Sequence, residues 1–99
     1  MKLNTGTFES GGGASTNYNL HTVRDSDEKL YYTHNVSFPE SYSIVPEVYV
    51  TLNKFDLSDP ENTKIGINVK DITENGFEVE IYTWAKSRVF TGEVSWFSY

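Results

Sequence analysis

Ninety-nine residues carry 14 Asp and Glu against 8 Lys and Arg, a net charge of −6, with 15% aromatic residues and no cysteine. The length bounds the chain to one domain that buries roughly two thirds of its unfolded surface. The charge argues against a nucleic-acid partner, and the missing cysteines remove disulfides, thiolate zinc sites and cysteine nucleophiles together. No apolar run approaches the roughly 20 residues that span a bilayer. Met1-Lys2-Leu3-Asn4-Thr5-Gly6 has no hydrophobic secretion-signal core, so a removed signal, another export route and no export all stay open.

In chain order, Leu3 to Glu9 can supply an edge strand. Ser10 to Asn19 reads as a flexible Gly-rich linker, since a phosphate-cradling loop would need a following Lys-Ser/Thr and a helix. Residues 1–25 thus form an edge strand and loop, and residues 26–99 the core of a single domain. Asp25 and Asp27 lie in an acidic loop (Arg24-Asp25-Ser26-Asp27-Glu28) that is either simply solvated or accepts hydrogen bonds from sugar hydroxyls. An EF-hand would need glycine and glutamate where Leu30 and Val36 stand, so calcium is not expected there.

From residue 30 onward the period is two. Leu30, Tyr32, His34, Val36 and Phe38 alternate with Tyr31, Thr33, Asn35 and Ser37. Val48, Val50 and Leu52 follow, then Ile65, Ile67 and Val69, then Phe77, Val79 and Ile81, and a last run from about Val89 to Phe97. These are half-buried antiparallel strands. Pro39 and Pro46 bracket one connection, Asp56 to Asn62 forms another, and Glu74-Asn75-Gly76 is a hairpin signal. No segment has the 3.6-residue period of a helix, and such spacing predicts a small all-β sandwich or barrel.

Trp84 ends the strand of Phe77, Val79 and Ile81 in the opposite, polar register. Either a twist returns the indole to the core, or it is a platform for the apolar face of a sugar ring. Trp96 shares its register with Val94 and reads as core. Lys64 lies outward, after the turn containing Pro60. His34 reads as a satisfied inward histidine, and with His21 it makes no metal set. Asn35-Val36-Ser37 is a sequon, meaningful only in a eukaryotic secretory pathway.

Together these features resemble the H-type lectins, the family of the snail agglutinins and of the discoidin C-terminal domain. The likeness covers about residues 24–97. It rests on His34-Asn35-Val36-Ser37-Phe38, Pro46-Glu47-Val48-Tyr49-Val50, Asp71-Ile72-Thr73-Glu74-Asn75-Gly76-Phe77 and Tyr82-Thr83-Trp84, followed by Val89-Phe90 and Val94-Ser95-Trp96.

The resemblance implies a six-stranded antiparallel β-sandwich that forms a trimer, sometimes a hexamer, with a shallow galactose or N-acetylgalactosamine site at the protomer boundary. Carried over, the family's acid falls on Asp27 and its tryptophan on Trp84. The family's glycine is Asp25 here, its arginine Lys64, a histidine Ala85 and a tyrosine Phe90. Lysine loses the planar guanidinium fork, Ala85 removes a polar group, and Phe90 loses a hydroxyl. The cysteine that links trimers in some members is absent, so a hexamer would be non-covalent.

The expected function is therefore a multivalent, non-enzymatic lectin without cofactors or metal. It would act on cell-surface glycans or glycoconjugates, from an extracellular or cell-surface location, with no nucleic-acid partner and no membrane insertion. The alternative is a structural or adhesive trimerising module, of a phage tail or cell-surface protein, whose sugar site has decayed. A glycosidase would need two carboxylates facing each other across a cleft, which Asp25 and Asp27 on one loop do not supply.

Overall fold

Apolar side chains at every second position drive the segments from residue 30 onward into strands that bury one face. The computed structural model describes residues 3–11, 18–22, 29–58, 64–84 and 87–99. Within them lie β1 (Asn4–Gly11), β2 (Leu30–Ser37), β3 (Val48–Ser58), β4 (Ile65–Lys70), β5 (Gly76–Thr83) and β6 (Arg88–Ser98), and no helix. They form two antiparallel three-stranded sheets, ordered β1-β6-β3 and β2-β5-β4.

The core lies between the two central strands, because only a central strand is flanked on both sides. β6 contributes Val89, Val94 and Trp96, and β5 contributes Phe77, Val79 and Ile81, all buried. Each such side chain is worth roughly 1.5–3 kcal/mol of transfer free energy. Trp96, only 7% exposed, meets Phe77 edge to face at 5.2 Å. Its indole occupies the space above Gly6, where a Cβ would come within 2.6 Å of three ring atoms. The edge strands β1 and β2 also meet across the core, where Phe8 stacks on His34 at 3.9 Å and 14°. His34 is thus inward and half-buried, and burial lowers its pKa.

Three details differ from the sequence reading. β3 runs on to Ser58, past the start of the expected connection at Asp56, because its pairing with β6 continues through two irregularities. One leaves Asn53 unpaired, with its Nδ2 donating to Ser95 Oγ. The other skips Phe90 and inverts the inward register, so that Val89 and Val94, five residues apart, both point into the core. The expected linker also differs at its ends. Ser10 and Gly11 belong to β1, while Tyr18 and Leu20 are core residues, 8% and 0% exposed. Tyr18 donates its hydroxyl to Val89 O at 2.8 Å, and Val89 N donates to Leu20 O at 2.9 Å. This burial, with Tyr32 nearby, pushes the Tyr18 phenol well above its usual range.

Candidate functional site

The site grows from the place where the chain leaves one sheet for the other. β5 ends at Thr83 in the second sheet, and β6 starts at Arg88 in the first. Thr83 falls in the inward register after Ile81 and is 0% exposed, so its hydroxyl must be paired. Its Oγ1 donates toward Lys64 O at 2.7 Å and Ser87 O at 3.0 Å. The buried Ser87 accepts from Lys64 N at 2.9 Å and donates its own N–H to Trp84 O at 3.1 Å. This set of bonds fixes the end of β5 and the residues before β4 and β6 relative to one another.

Trp84 leaves that knot in the outward register of the second sheet and is half-buried, not returned to the core. Its indole stacks on Tyr82 at 5.6 Å and 24°. Tyr82 is in turn flanked across the strands by Tyr31, at 5.9 Å, and by Gly66. The phenol tip lies where a side chain at 66 would be, since a Cβ there would fall 2.2 Å from Tyr82 Cζ. Lys29 Nζ stands 5.8 Å from the same ring. One face of the indole is therefore braced by a row of side chains, which holds the other in a defined direction.

Phe90 lies elsewhere. As the skipped residue of β6 it shares the outward side of the first sheet with Arg88, whose guanidinium carbon stands 4.8 Å over its ring. Arg88 Nε donates to His21 O at 2.8 Å. The hydrogen-bonded knot thus brings Lys64 and Trp84 together, whereas Phe90 is presented on a different face with a different ring partner. Asp25, Asp27 and Ala85 lie outside the described residues. Thr83, Ser87 and Tyr82 are the residues that sequence reasoning missed as parts of this site. A threonine in the inward register beside three large apolar residues was the one available signal.

Among the surface concavities that lie away from these residues are one of about 230 Å³ and one of about 420 Å³. The first is lined by Glu9, Lys54 and Glu93 among others, and the second by residues 42–47 with Tyr99. The described residues around Trp84 present one braced aromatic.

Two three-stranded antiparallel sheets with an aromatic braced at a strand end form a small β-sandwich. The family profile of the H-type lectin domain matches residues 33–99, and the chain belongs to that family. Among curated proteins it is similar to a discoidin-1 chain of Dictyostelium discoideum, 32% identical over 57 residues, which cover 57% of this chain and 22% of that protein. It is also similar to the ATP synthase subunits region ORF 7 protein of Fuscovulum blasticum, 31% identical over 65 residues, covering 66% and 56%. The chain therefore spans little more than half the length of one curated relative and under a quarter of the other. Among solved structures, native recombinant discoidin II of Dictyostelium discoideum superposes with a TM-score of 0.81 over 98% of this chain and 36% of that one, at 17% identity. Wild-type discoidin II gives 0.80 over 98% and 35%, also at 17%. At such identity the likeness is one of fold.

Proposed function

We propose that the protein is a non-enzymatic lectin that binds galactose, N-acetylgalactosamine or related glycans in a shallow site, multivalent through trimerisation. The observation that carries this reading is Trp84, half-buried and braced on one face by Tyr82 while tied through Ser87 to Lys64. The proposed site is Asp25, Asp27, Lys64, Trp84, Ala85 and Phe90. Asp27 accepts from sugar hydroxyls, Trp84 stacks on the ring, and Phe90 supplies an apolar wall.

Trp84 and Phe90 leave the sandwich from the outward sides of different sheets. A pocket that uses both is most simply closed by two copies of the chain, which supports a site at the protomer boundary. A single shallow site of this kind reaches only about millimolar affinity, near −4 kcal/mol. Assembly into a trimer, or a non-covalent hexamer, raises avidity about a hundredfold or more where the sites engage one surface. Action on glycans outside the cell or at its surface fits this chemistry.

The second reading, a structural or adhesive trimerising module, is favoured by a different observation. Tyr49, Phe97 and Tyr99 stack within 10–19° of parallel and are 42–46% exposed on the outer face of the first sheet. A glycan array beside a native mass measurement separates the two readings. Glycan binding that is lost in Trp84→Ala without a change of mass supports the lectin, and a stable trimer that binds no glycan supports the module.

A further inference from the structure

Strand register orders the outer face of the second sheet into rows. Tyr31, Tyr82 and Gly66 form one row across β2, β5 and β4, and Thr33, Glu80 and Asn68 form the next. Gly66 has no side chain, and the phenol of Tyr82 comes down onto it. Cζ, the hydroxyl and Cε1 lie 2.2–2.6 Å from where a Cβ would be. The ring therefore lies along the sheet across β4 and does not stand away from it. Trp84 is within 24° of parallel to that ring, with the centroids 5.6 Å apart. This exceeds the face-to-face contact distance of about 3.5–4.0 Å, so the two rings are offset and not eclipsed. They make a stepped aromatic floor, and Tyr31, 48% exposed and 5.9 Å from Tyr82, carries it on to β2.

Along β5 this floor ends at a fixed carboxylate. Glu80 accepts from Asn68 Nδ2 at 3.4 Å and from Lys70 Nζ at 3.2 Å, and its side chain is only 15% exposed. The two bonds hold the group in place, so little rotamer freedom is left to lose on binding. A carboxylate has about four acceptor sites, so two donors do not exhaust it. Two strand residues separate Glu80 from Tyr82, about 6.8 Å, which one sugar residue and a hydrogen bond span. The amide of Asn68, exposed beside it, is oriented by the same contact. An aromatic floor bordered by a held carboxylate and amide suits a sugar ring, with its apolar C–H face down and its hydroxyls toward the charged edge.

We propose that the Trp84 site continues along β5 into a second sugar subsite, with Tyr82 as its floor and Glu80 and Asn68 as its polar edge. The protein then selects glycans of two or more sugar residues over free monosaccharides. This rests on the lectin reading above and specifies the length of its ligand. One sugar stacks on the indole, and the next lies over Tyr82 with its hydroxyl edge toward Glu80. A monosaccharide on Trp84 leaves that edge to water and gains nothing from it.

The test is calorimetric titration of the intact protein with galactose, N-acetylgalactosamine, lactose and N-acetyllactosamine, repeated for Glu80→Gln, Asn68→Ala and Trp84→Ala, with thermal melts to check folding. Wild type should bind at least one disaccharide about tenfold more tightly than the better monosaccharide, the gain expected of a hydrogen bond to a charged group. That ratio should fall toward one in Glu80→Gln, which keeps the shape of the side chain. It should fall in Asn68→Ala too, which serves as the readout if Glu80→Gln does not fold. Residues that only supported the fold would weaken mono- and disaccharides alike and leave the ratio in place. Trp84→Ala should weaken all four probes. Disaccharides bound no better than monosaccharides, or a ratio unmoved in the folded Glu80 and Asn68 variants, overturns the proposal and leaves the lectin reading intact. Failure of wild type to bind any of the four overturns both.

Discussion

Thr83 Oγ1 lies 2.7 Å from Lys64 O and 3.0 Å from Ser87 O, so one buried hydroxyl joins the approach to β4 to the approach to β6. Trp84 is the next residue, and its position is inherited from that junction. Thr83→Val keeps the shape and removes the donor, leaving two carbonyls short of a partner. The expected cost is about 1–3 kcal/mol. Thermal unfolding should show it as a drop in Tm of several degrees, with weakened glycan binding even well below the transition. An unchanged Tm would mean that the two carbonyls are satisfied by other means.

Gly66→Ala tests the brace behind Trp84 without touching the indole. A Cβ at 66 would stand 2.2 Å from Tyr82 Cζ and 2.4 Å from its hydroxyl, so the phenol must move. The variant should remain folded, since Gly66 faces outward and the core strands keep their pairing. Its glycan affinity should fall severalfold. Trp84 emission should shift while that of the buried Trp96 does not, which a Trp84→Phe background would verify.

His34 gives the stability a direction in pH. Burial lowers its pKa in the folded state below the unfolded value near 6.5. The unfolded chain therefore binds the proton more readily. This contribution is complete above about pH 6.5 and is lost as pH falls from there toward the lowered folded value. Urea midpoints should be lower at pH 5.5 than at pH 7.5, and the difference should shrink in His34→Phe. An equal difference in that variant would assign the effect to other groups.

The Tyr49, Phe97 and Tyr99 stack is the exposed aromatic surface most suited to association. Interfaces are enriched in tyrosine and phenylalanine and depleted of charge at their centres. Phe97→Glu replaces one ring of the stack with a carboxylate beside the nearly parallel rings of Tyr49 and Tyr99. It should shift the native mass toward the monomer while the melting temperature of the domain changes little. A trimer that tolerates this substitution would place the contact between protomers on another face.

Much of the fold was legible in the sequence because burial here follows strand register. The inward sets of Val48, Val50 and Leu52, of Ile65, Ile67 and Val69, and of Phe77, Val79 and Ile81 lie where alternation puts them. Trp96 is core as its register with Val94 implied. The bulge at Phe90 was not legible, because counting in twos from Val94 carries no sign of a skipped residue. Tyr18 and Leu20 were hidden by the Gly- and Ser-rich run before them. Their burial depends on β6 offering hydrogen bonds at Val89, a contact across some 70 positions of sequence. The Thr83–Ser87 junction escaped notice for the same reason, since its third member, Lys64, comes from a different connection. Arg88 has two anchors, His21 O and the Phe90 ring, and the first lies 67 positions away in the sequence.

The central claim is that Trp84 binds a sugar ring, and glycan-array binding by wild type and Trp84→Ala, with native mass recorded for both, tests it most directly. Glycan binding by wild type that disappears in Trp84→Ala, at an unchanged native mass, is the predicted result. Equal binding by the two proteins, or no binding by wild type to any glycan, would contradict it.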